Sequence, residues 1–290
     1  ERWKKDVRTM GEIGINVVRI GEFSWSVVER KRGEIDFSVL DEAVDLLNSE
    51  GIKVIMGTPT CTPPPWLTKE FPEILQKDVN GLVIASGSRR HYCFNSKIYR
   101  EETSRIVEAF ADHFGNDPRI VAWQIDNEFG CHNSTVCFCE NCAVAFRDWL
   151  KKKYGSIDKL NKAWGTVFWS QIFNDWEEIE PPRRTLTSPN PSLVLDYKRF
   201  SSDSAIDYHN LQREIIMRKS EAPITHNLMV NFTEIDYKKL SDSIDFVSWD
   251  NYIVGDYDPD LQALNHDLMR SLKKQPFLVI DGAGECAFAM

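Results

Sequence analysis

Short apolar runs alternate along the chain with longer segments in which apolar and polar residues follow a helical period. The apolar runs are rich in Val and Ile, and they predict six β-strands, at residues 15–20, 52–56, 119–125, 228–232, 244–249 and 276–280. The amphipathic segments predict helices at residues 39–50, 101–114, 143–153 and 198–218. Strands that are apolar almost throughout and alternate with helices indicate a parallel sheet that helices cover.

Two α/β architectures fit this alternation, an open doubly wound sheet and a closed barrel. The chain has no G-x-G-x-x-G motif after its first strand and no G-x-x-x-x-G-K-[ST] motif, which removes the main support for a nucleotide-binding open sheet. Polar residues instead follow the strands, where a barrel enzyme builds its active site: Glu22, Asn127, Glu128, Asn231, Asp250, Asn251 and Asp281. The sequence therefore predicts a (β/α)8 TIM barrel, of which we count six strands.

The charge balance of the chain argues against two classes of partner. The 290 residues include 35 Lys and Arg against 44 Asp and Glu, a formal net charge of -9. Nucleic-acid binding needs clustered basic side chains, and the longest basic run is residues 151–153. No apolar run approaches the roughly 18 residues that a membrane span needs. We therefore expect neither nucleic acid nor a membrane as a partner.

The cysteines predict a metal site. Four of the seven lie between Cys131 and Cys142, which suits a metal in a reducing cytoplasm better than a disulfide framework. Cys137, Cys139 and Cys142 form a C-x-C-x-x-C motif that can share one tetrahedral Zn²⁺. The spacing leaves the fourth ligand open between Cys93 and Cys131, and His132 is an alternative to one of the thiolates. A site closed by four protein ligands would be structural.

The segment WQIDNEFG (123–130) places Asn127 and Glu128 directly after an apolar strand. A carboxyl group in this position is partly desolvated, which suits a general acid. The neighbouring Asn can hydrogen-bond a sugar 2-hydroxyl, an interaction that strengthens in an oxocarbenium-like transition state. Alternatively, Glu128 is a helix-start carboxylate. Several aromatic residues either offer apolar faces to a sugar ring or belong to the core: Trp25, Trp66, Trp169, Trp249 and Tyr252.

Four segments of the chain together resemble the β-galactosidases of glycoside hydrolase family 42. They are VVRIGEFSW (17–25), GSRRHYCF (87–94), WQIDNEFG (123–130) and SWDNY (248–252), and the cysteine motif begins nine residues after Glu128. The resemblance runs over essentially the whole chain. It implies a (β/α)8 barrel, retaining hydrolysis of terminal β-D-galactosides, a structural zinc ion without an organic cofactor, and a trimeric full-length protein.

The resemblance also implies roles for individual residues. Glu128 would be the acid/base, and Asn127 and Arg89 would contact galactose. Further substrate contacts would come from Trp169, Tyr252 and Arg19. The implied zinc ligands are Cys93, Cys137, Cys139 and Cys142.

The chain departs from the family at the nucleophile, which in the family is a Glu at the end of the seventh strand. Asp281 occupies that position and is one methylene shorter. Retaining chemistry needs carboxyl groups about 5–5.5 Å apart, and a displacement of about 1 Å can cost on the order of 100-fold in rate. Glu285 lies too far past the strand to replace it.

The family barrel also has one strand before and one after the portion that this sequence matches. We therefore expect an incomplete barrel with strands 2 to 7, forming a partial catalytic domain over residues 1–290 with a zinc-binding insertion around residues 131–142. Two functions follow as hypotheses. One is a retaining β-galactosidase, and the other is a galactoside-binding protein without turnover.

Overall fold

The computed structural model describes residues 1–230, 232–252 and 258–282. Its strands are β1 (Val17–Ile20), β2 (Lys53–Gly57), β3 (Ile120–Gln124), β4 (Ile224–Thr225), β5 (Asn227–Met229), β6 (Ser248–Asn251) and β7 (Leu278–Gly282). Its helices are α1 (Arg2–Glu12), α2 (Trp25–Val28), α3 (Ser38–Ser49), α4 (Pro65–Glu70), α5 (Lys97–Phe114), α6 (Glu140–Tyr154), α7 (Ile157–Trp164), α8 (Pro191–Met217), α9 (Tyr237–Ser241) and α10 (Pro259–Leu272). None of the helices in these ranges is both long and apolar enough to cross a bilayer.

The strands pair in parallel and in the order in which they occur along the chain. Hydrogen bonds join β1, β2, β3 and β4 into one sheet and β5, β6 and β7 into another. Only His226 separates β4 from β5, so a single interrupted strand lies between β3 and β6. The chain thus forms six consecutive strand positions with helices between them, as in a (β/α)8 barrel, and the predicted fold class is confirmed.

Two predicted strands were placed wrongly along the chain. The predicted strand at 228–232 begins earlier, at β4, and Asn231 lies outside the described residues. The predicted strand at 244–249 begins only at Ser248, because Asp245 caps the start of β4. Its backbone N–H donates to the Ile224 carbonyl at 2.7 Å, and its carboxylate accepts the Ile224 N–H at 2.8 Å. Ile244 and Val247 of this segment are buried although they lie outside the strand.

The main core fills the space between the strands and their helices. The side chain of Ser96 accepts the N–H of Tyr99 and caps α5, whose apolar face is buried against the sheet. Trp25 and Trp249 are fully buried in this core. The core interpretation therefore holds for these two residues, and neither offers a ring face to a sugar.

A second, smaller core surrounds the cysteine motif. It is formed by α6, α7 and the first half of α8, and its apolar side chains include Phe146, Leu150, Leu160, Trp164, Tyr197 and Phe200. Gly155 and Gly165 end α6 and α7 with positive φ angles of 74° and 64°, a conformation that glycine adopts without strain. This helical layer holds the cysteines in an apolar setting beside the sheet.

Candidate active site and metal centre

A tight turn after β3 carries Glu128. Asp126 and Glu128 have positive φ angles of 55° and 45°, which costs on the order of 1–3 kcal/mol at each non-glycine residue and persists only where the surroundings impose it. The fully buried Asp126 carboxylate accepts hydrogen bonds from the Tyr92 and Thr60 hydroxyls, each at 2.7 Å. These contacts fix the turn and thereby the direction of Glu128.

The segment after β4 holds the other side of the same turn. The Glu128 N–H donates to Asn227 Oδ1 at 2.9 Å, and the Phe129 N–H donates to His226 Nε2 at 3.0 Å. His226 Nδ1 donates in turn to the Ile125 carbonyl at 2.8 Å. Burial lowers the pKa of His226 to about 3, so the ring is neutral and carries its proton on Nδ1.

The Glu128 carboxylate lies among three donor groups and is only 9% exposed. Its Oε2 atom is 2.9 Å from Arg89 Nη1, 3.5 Å from Arg90 Nη1 and 3.0 Å from Asn127 Nδ2. The structure therefore brings together three residues that the sequence predicted, Glu128, Arg89 and Asn127. Arg90 was not predicted, although it is the more deeply buried arginine of the pair.

Asp281 lies at the end of β7 and forms an ion pair with Arg19 of β1 at 3.2 Å. Arg19 also contacts Glu22 at 3.0 Å and donates to Gln124 Oε1 at 2.8 Å, so acceptors on three sides orient its guanidinium. Tyr252 is close by, and burial together with the Asp281 carboxylate raises its pKa. The structure thus groups Arg19, Asp281 and Tyr252, three residues that the family resemblance assigned to the site, and their roles stay predictions.

Asp250 is a third carboxyl group at the centre of the site, and it stands opposite Asp281 in the register of β6 and β7. Asn227 donates to Asp250 Oδ2 at 2.8 Å and to Asn127 Oδ1 at 3.1 Å, which links Asp250 to the Glu128 turn. Burial, reinforced by the charges of Glu128 and Asp281, raises the pKa of Asp250 to about 8. The folded structure therefore favours the protonated form of Asp250.

Asn227 and His226 were missed because the predicted strand began at residue 228. The signal that identifies them is the Ile-Thr pair at residues 224–225, which begins the strand upstream of both polar side chains. Asp250 was recognised only as a strand-end residue, without a role.

Trp169 lies apart from these contacts. It is 61% exposed, has a positive φ of 58° in a short turn at residues 168–170, and stacks on Phe168 at a ring-centroid distance of 4.7 Å. Its contact with a sugar stays a prediction.

The four predicted zinc ligands lie together and are buried. The Sγ atoms of Cys93, Cys137, Cys139 and Cys142 are all within 4.8 Å of one another. Four thiolates at the Zn–S distance of about 2.3 Å would be about 3.8 Å apart, so the cluster is of the right size for one tetrahedral ion. Asn95 donates to two of them, its backbone N–H to Cys93 and its side chain to Cys142, each at 3.4 Å.

The remaining candidate ligands lie outside this cluster. Cys131 is partly exposed and its Sγ is 3.1 Å from His132 Nδ1, while His132 also approaches Arg90 Nη2 at 3.4 Å. Of the ligand alternatives that the spacing left open, the geometry therefore favours Cys93.

Paired carboxylates at the carboxyl ends of parallel strands, held beside arginine and asparagine side chains, are typical of retaining glycoside hydrolases with a barrel fold. The chain belongs to glycoside hydrolase family 42, because the model of that family, described as β-galactosidase, matches residues 1–287.

Named relatives agree with this assignment. A β-galactosidase of Halorubrum lacusprofundi is 44% identical over 97% of this chain and 43% of its own length. A β-galactosidase of Thermus thermophilus is likewise 44% identical, over 97% of this chain and 46% of its own. The chain therefore spans less than half the length of these curated relatives.

Solved structures show the same fold. The β-galactosidase of the psychrophilic Marinomonas ef1 superposes with a TM-score of 0.93 at 42% identity, covering 97% of this chain and 46% of that one. The catalytic domain of a β-amylase from Paenibacillus polymyxa matches with a TM-score of 0.68 at 17% identity, a likeness of fold alone. The predicted family and barrel architecture are confirmed.

Proposed function

We propose that this chain carries the catalytic centre of a retaining β-galactosidase, with Glu128 as the acid/base and Asp281 as the nucleophile. The observation that carries the proposal is the fixed Glu128 turn, in which Arg89 and Asn127 contact the carboxylate. This geometry occurs in a chain that is 44% identical to proteins named β-galactosidases.

In this mechanism the Asp281 carboxylate attacks the anomeric carbon while Glu128 protonates the glycosidic oxygen, and the bond to the leaving alcohol breaks. Glu128 then takes a proton from water, whose oxygen attacks the anomeric carbon and displaces Asp281. Galactose leaves with its configuration retained.

Other residues position the reacting groups. Arg19 holds Asp281 through their ion pair, and Asn127 is placed next to the acid/base to bind the sugar 2-hydroxyl. We assign Arg89, Tyr252 and Trp169 to further substrate contacts. The natural substrate would be a small β-galactoside or an oligosaccharide.

The four-cysteine cluster is proposed to hold one structural Zn²⁺. Zinc would crosslink Cys93 to the C-x-C-x-x-C motif and stabilise the fold, since a site closed by four thiolates has no position for substrate. Free thiols of this kind persist in a reducing compartment, so we propose a cytoplasmic protein. A trimeric parent protein follows from the family resemblance.

The alternative function is galactoside binding without turnover. The observation that favours it is the identity of Asp281, because its carboxylate is one methylene shorter than that of the Glu in the family's nucleophile position. Binding through Asn127 and Arg89 does not require that carboxylate to reach the anomeric carbon.

Hydrolysis of 4-nitrophenyl β-D-galactoside by the chain and by Asp281→Glu separates the two functions. If Asp281 holds the nucleophile position, the Glu variant gains about 10- to 100-fold in kcat. The matched control is Asp242→Glu at an exposed position, which leaves the rate unchanged. Absence of turnover in both proteins, with galactose binding retained in calorimetry, would favour the alternative. NMR detection of β-galactose as the first product tests retention.

A further inference from the structure

A second feature of the molecule is a cleft of about 1070 Å³ beside the Glu128 turn. It lies between the loop segment 76–91, the segment 131–138 that follows the turn, and the segment 182–189 before α8. Its volume is ample for a sugar residue or an aromatic group.

The walls of the cleft are cationic in a protein whose net charge is -9. Lys77, Arg183, Arg184 and Lys198 line it, and none of these four forms an ion pair with another described residue. The cleft has two acidic residues, and both accept hydrogen bonds from backbone N–H groups close to them in sequence. Asp78 accepts the N–H groups of Asn80 and Leu82 in its own turn, and Glu234 accepts the Thr233 N–H.

Two of these cations are more enclosed than the others, and one of the two is held in place. Lys77 and Arg183 are half-buried, whereas Arg184 and Lys198 are exposed. The Arg183 guanidinium packs on the turn at Gly81, where a Cβ atom would lie 3.2 Å from Nη1. A half-buried guanidinium fixed in position loses less side-chain entropy when it binds an anion than a free one does.

A buried donor without a partner also lines the cleft. His91 is 3% exposed, and neither of its ring nitrogens makes a hydrogen bond within the described residues. An imidazole ring carries at least one N–H that it can donate. A buried polar group left unpaired costs about 1–3 kcal/mol, which an acceptor on a ligand would remove.

The cleft adjoins the side chains that contact the proposed acid/base. Arg89 contacts Glu128 at 2.9 Å and also lines the cleft. Because the general acid protonates the glycosidic oxygen, the aglycone must lie on the Glu128 side of the bond. The lining also includes an aromatic pair, Phe138 stacked on Tyr197 at a centroid distance of 5.5 Å.

We propose that this cleft is a binding subsite for an anionic aglycone, a sugar or aromatic leaving group that bears a carboxylate or a sulfate, and that Lys77 and Arg183 recognise its charge. The inference rests on the proposed function, since it takes Glu128 as the acid/base. It extends that function by naming the substrate class as acidic β-galactosides.

The test is isothermal titration calorimetry of the chain with three galactosides. They are lactose, galactosyl-β-1,4-glucuronate, and lactose sulfated at O6 of its glucose. Each is also titrated into the double variant Lys77→Gln/Arg183→Gln. The matched control, Lys162→Gln/Arg218→Gln, removes the same charge at exposed positions outside the cleft.

We expect at least one anionic galactoside to bind about tenfold or more tightly than lactose, because a charge-assisted hydrogen bond is worth that factor. The cleft variant should reduce this preference to within about threefold, and the control should keep it. Which of the two anionic galactosides binds more tightly than lactose identifies the preferred anion as carboxylate or sulfate. Equal affinity for all three galactosides, or a preference that survives in the cleft variant, overturns the proposal.

Titration of free glucuronate, glucose 6-sulfate and galactose separates this inference from the proposed function. If the free anionic sugars bind in a way that depends on Lys77 and Arg183, while lactose and galactose do not bind, the anion site is supported and galactoside recognition is overturned. If no sugar binds to the folded chain, both are overturned.

Discussion

Arg19 and Asp281, 262 residues apart in sequence, form an ion pair of 3.2 Å between the first and last strands of the described sheet order. No backbone pairing joins β1 to β7 within the described residues. This side-chain contact therefore connects the two outermost strands at the point where the proposed nucleophile lies.

Replacing Arg19 with Gln should lower kcat by about 10- to 100-fold. The rate is measured on a nitrophenyl β-galactoside, and both proteins compared carry Asp281→Glu, which we expect to be the more active background. The neutral amide cannot form the ion pair that holds the carboxylate at position 281. Arg19→Lys should recover part of the loss, because it restores charge without the guanidinium fork. The exposed Arg2→Gln is the control, and an equal effect of both variants would contradict the role.

Glu128→Gln should reduce turnover by about 100- to 10,000-fold, the usual contribution of a general acid or base. The loss should be larger for lactose than for a dinitrophenyl galactoside, since a good leaving group departs without protonation. Steady-state kinetics on both substrates gives the loss of turnover for each and so the ratio of the two losses. The variant Glu101→Gln, at an exposed position, is the control. Equal losses on the two substrates would assign Glu128 to binding or folding.

The zinc ion proposed for the four-cysteine cluster should stabilise the loop that carries Arg89 and Arg90, because Cys93 follows them closely and the Tyr92 hydroxyl donates to Asp126. Cys137→Ser should therefore remove bound zinc, lower the melting temperature and reduce activity together. Plasma mass spectrometry gives the zinc content, and calorimetry the melting temperature. Cys131→Ser offers a matched control outside the cluster, and one zinc per chain in Cys137→Ser would refute the ligand assignment.

Local sequence predicted the parts of the site that are contiguous. Asn127 and Glu128 lie three and four residues after the end of β3, and the cysteine motif has a recognisable spacing, so both groups can be identified from the local sequence. The Ile-Thr pair before Asn227 indicates that it lies in a strand, but its role could not be predicted, because it arises from a hydrogen bond to a residue 99 positions earlier.

Apolar runs predicted the number of strand positions better than their ends. The segment at 244–247 is apolar because Ile244 and Val247 pack in the core, although the chain turns there. Periodicity reports burial, and whether a buried segment pairs in the sheet depends on capping contacts such as that of Asp245 with Ile224. Arg90 was missed for a related reason, because its burial beside Glu128 follows from the tertiary fold and not from the local sequence.

Asp250 makes the stability of the protein depend on pH in a definite direction. In the folded chain its pKa is raised to about 8, mainly by burial, whereas an unfolded Asp ionises near 3.9. Between these values the folded state retains a proton that the unfolded state has lost. The contribution of Asp250 to stability is therefore fully present below about pH 4 and is lost as the pH rises through 8.

Asp250→Asn keeps the neutral form at every pH and should remove this loss. The melting temperature of the variant relative to the parent chain should therefore increase from pH 4.5 to pH 8.5, by about 2–4 °C for each kcal/mol of relieved charge burial. Calorimetric melts at a series of pH values measure the difference, and the exposed Asp242→Asn should show none. If the difference in melting temperature stays constant with pH, Asp250 is ionised in the folded protein. The Arg19 guanidinium would then offset the repulsion between Asp250 and the carboxylates of Glu128 and Asp281.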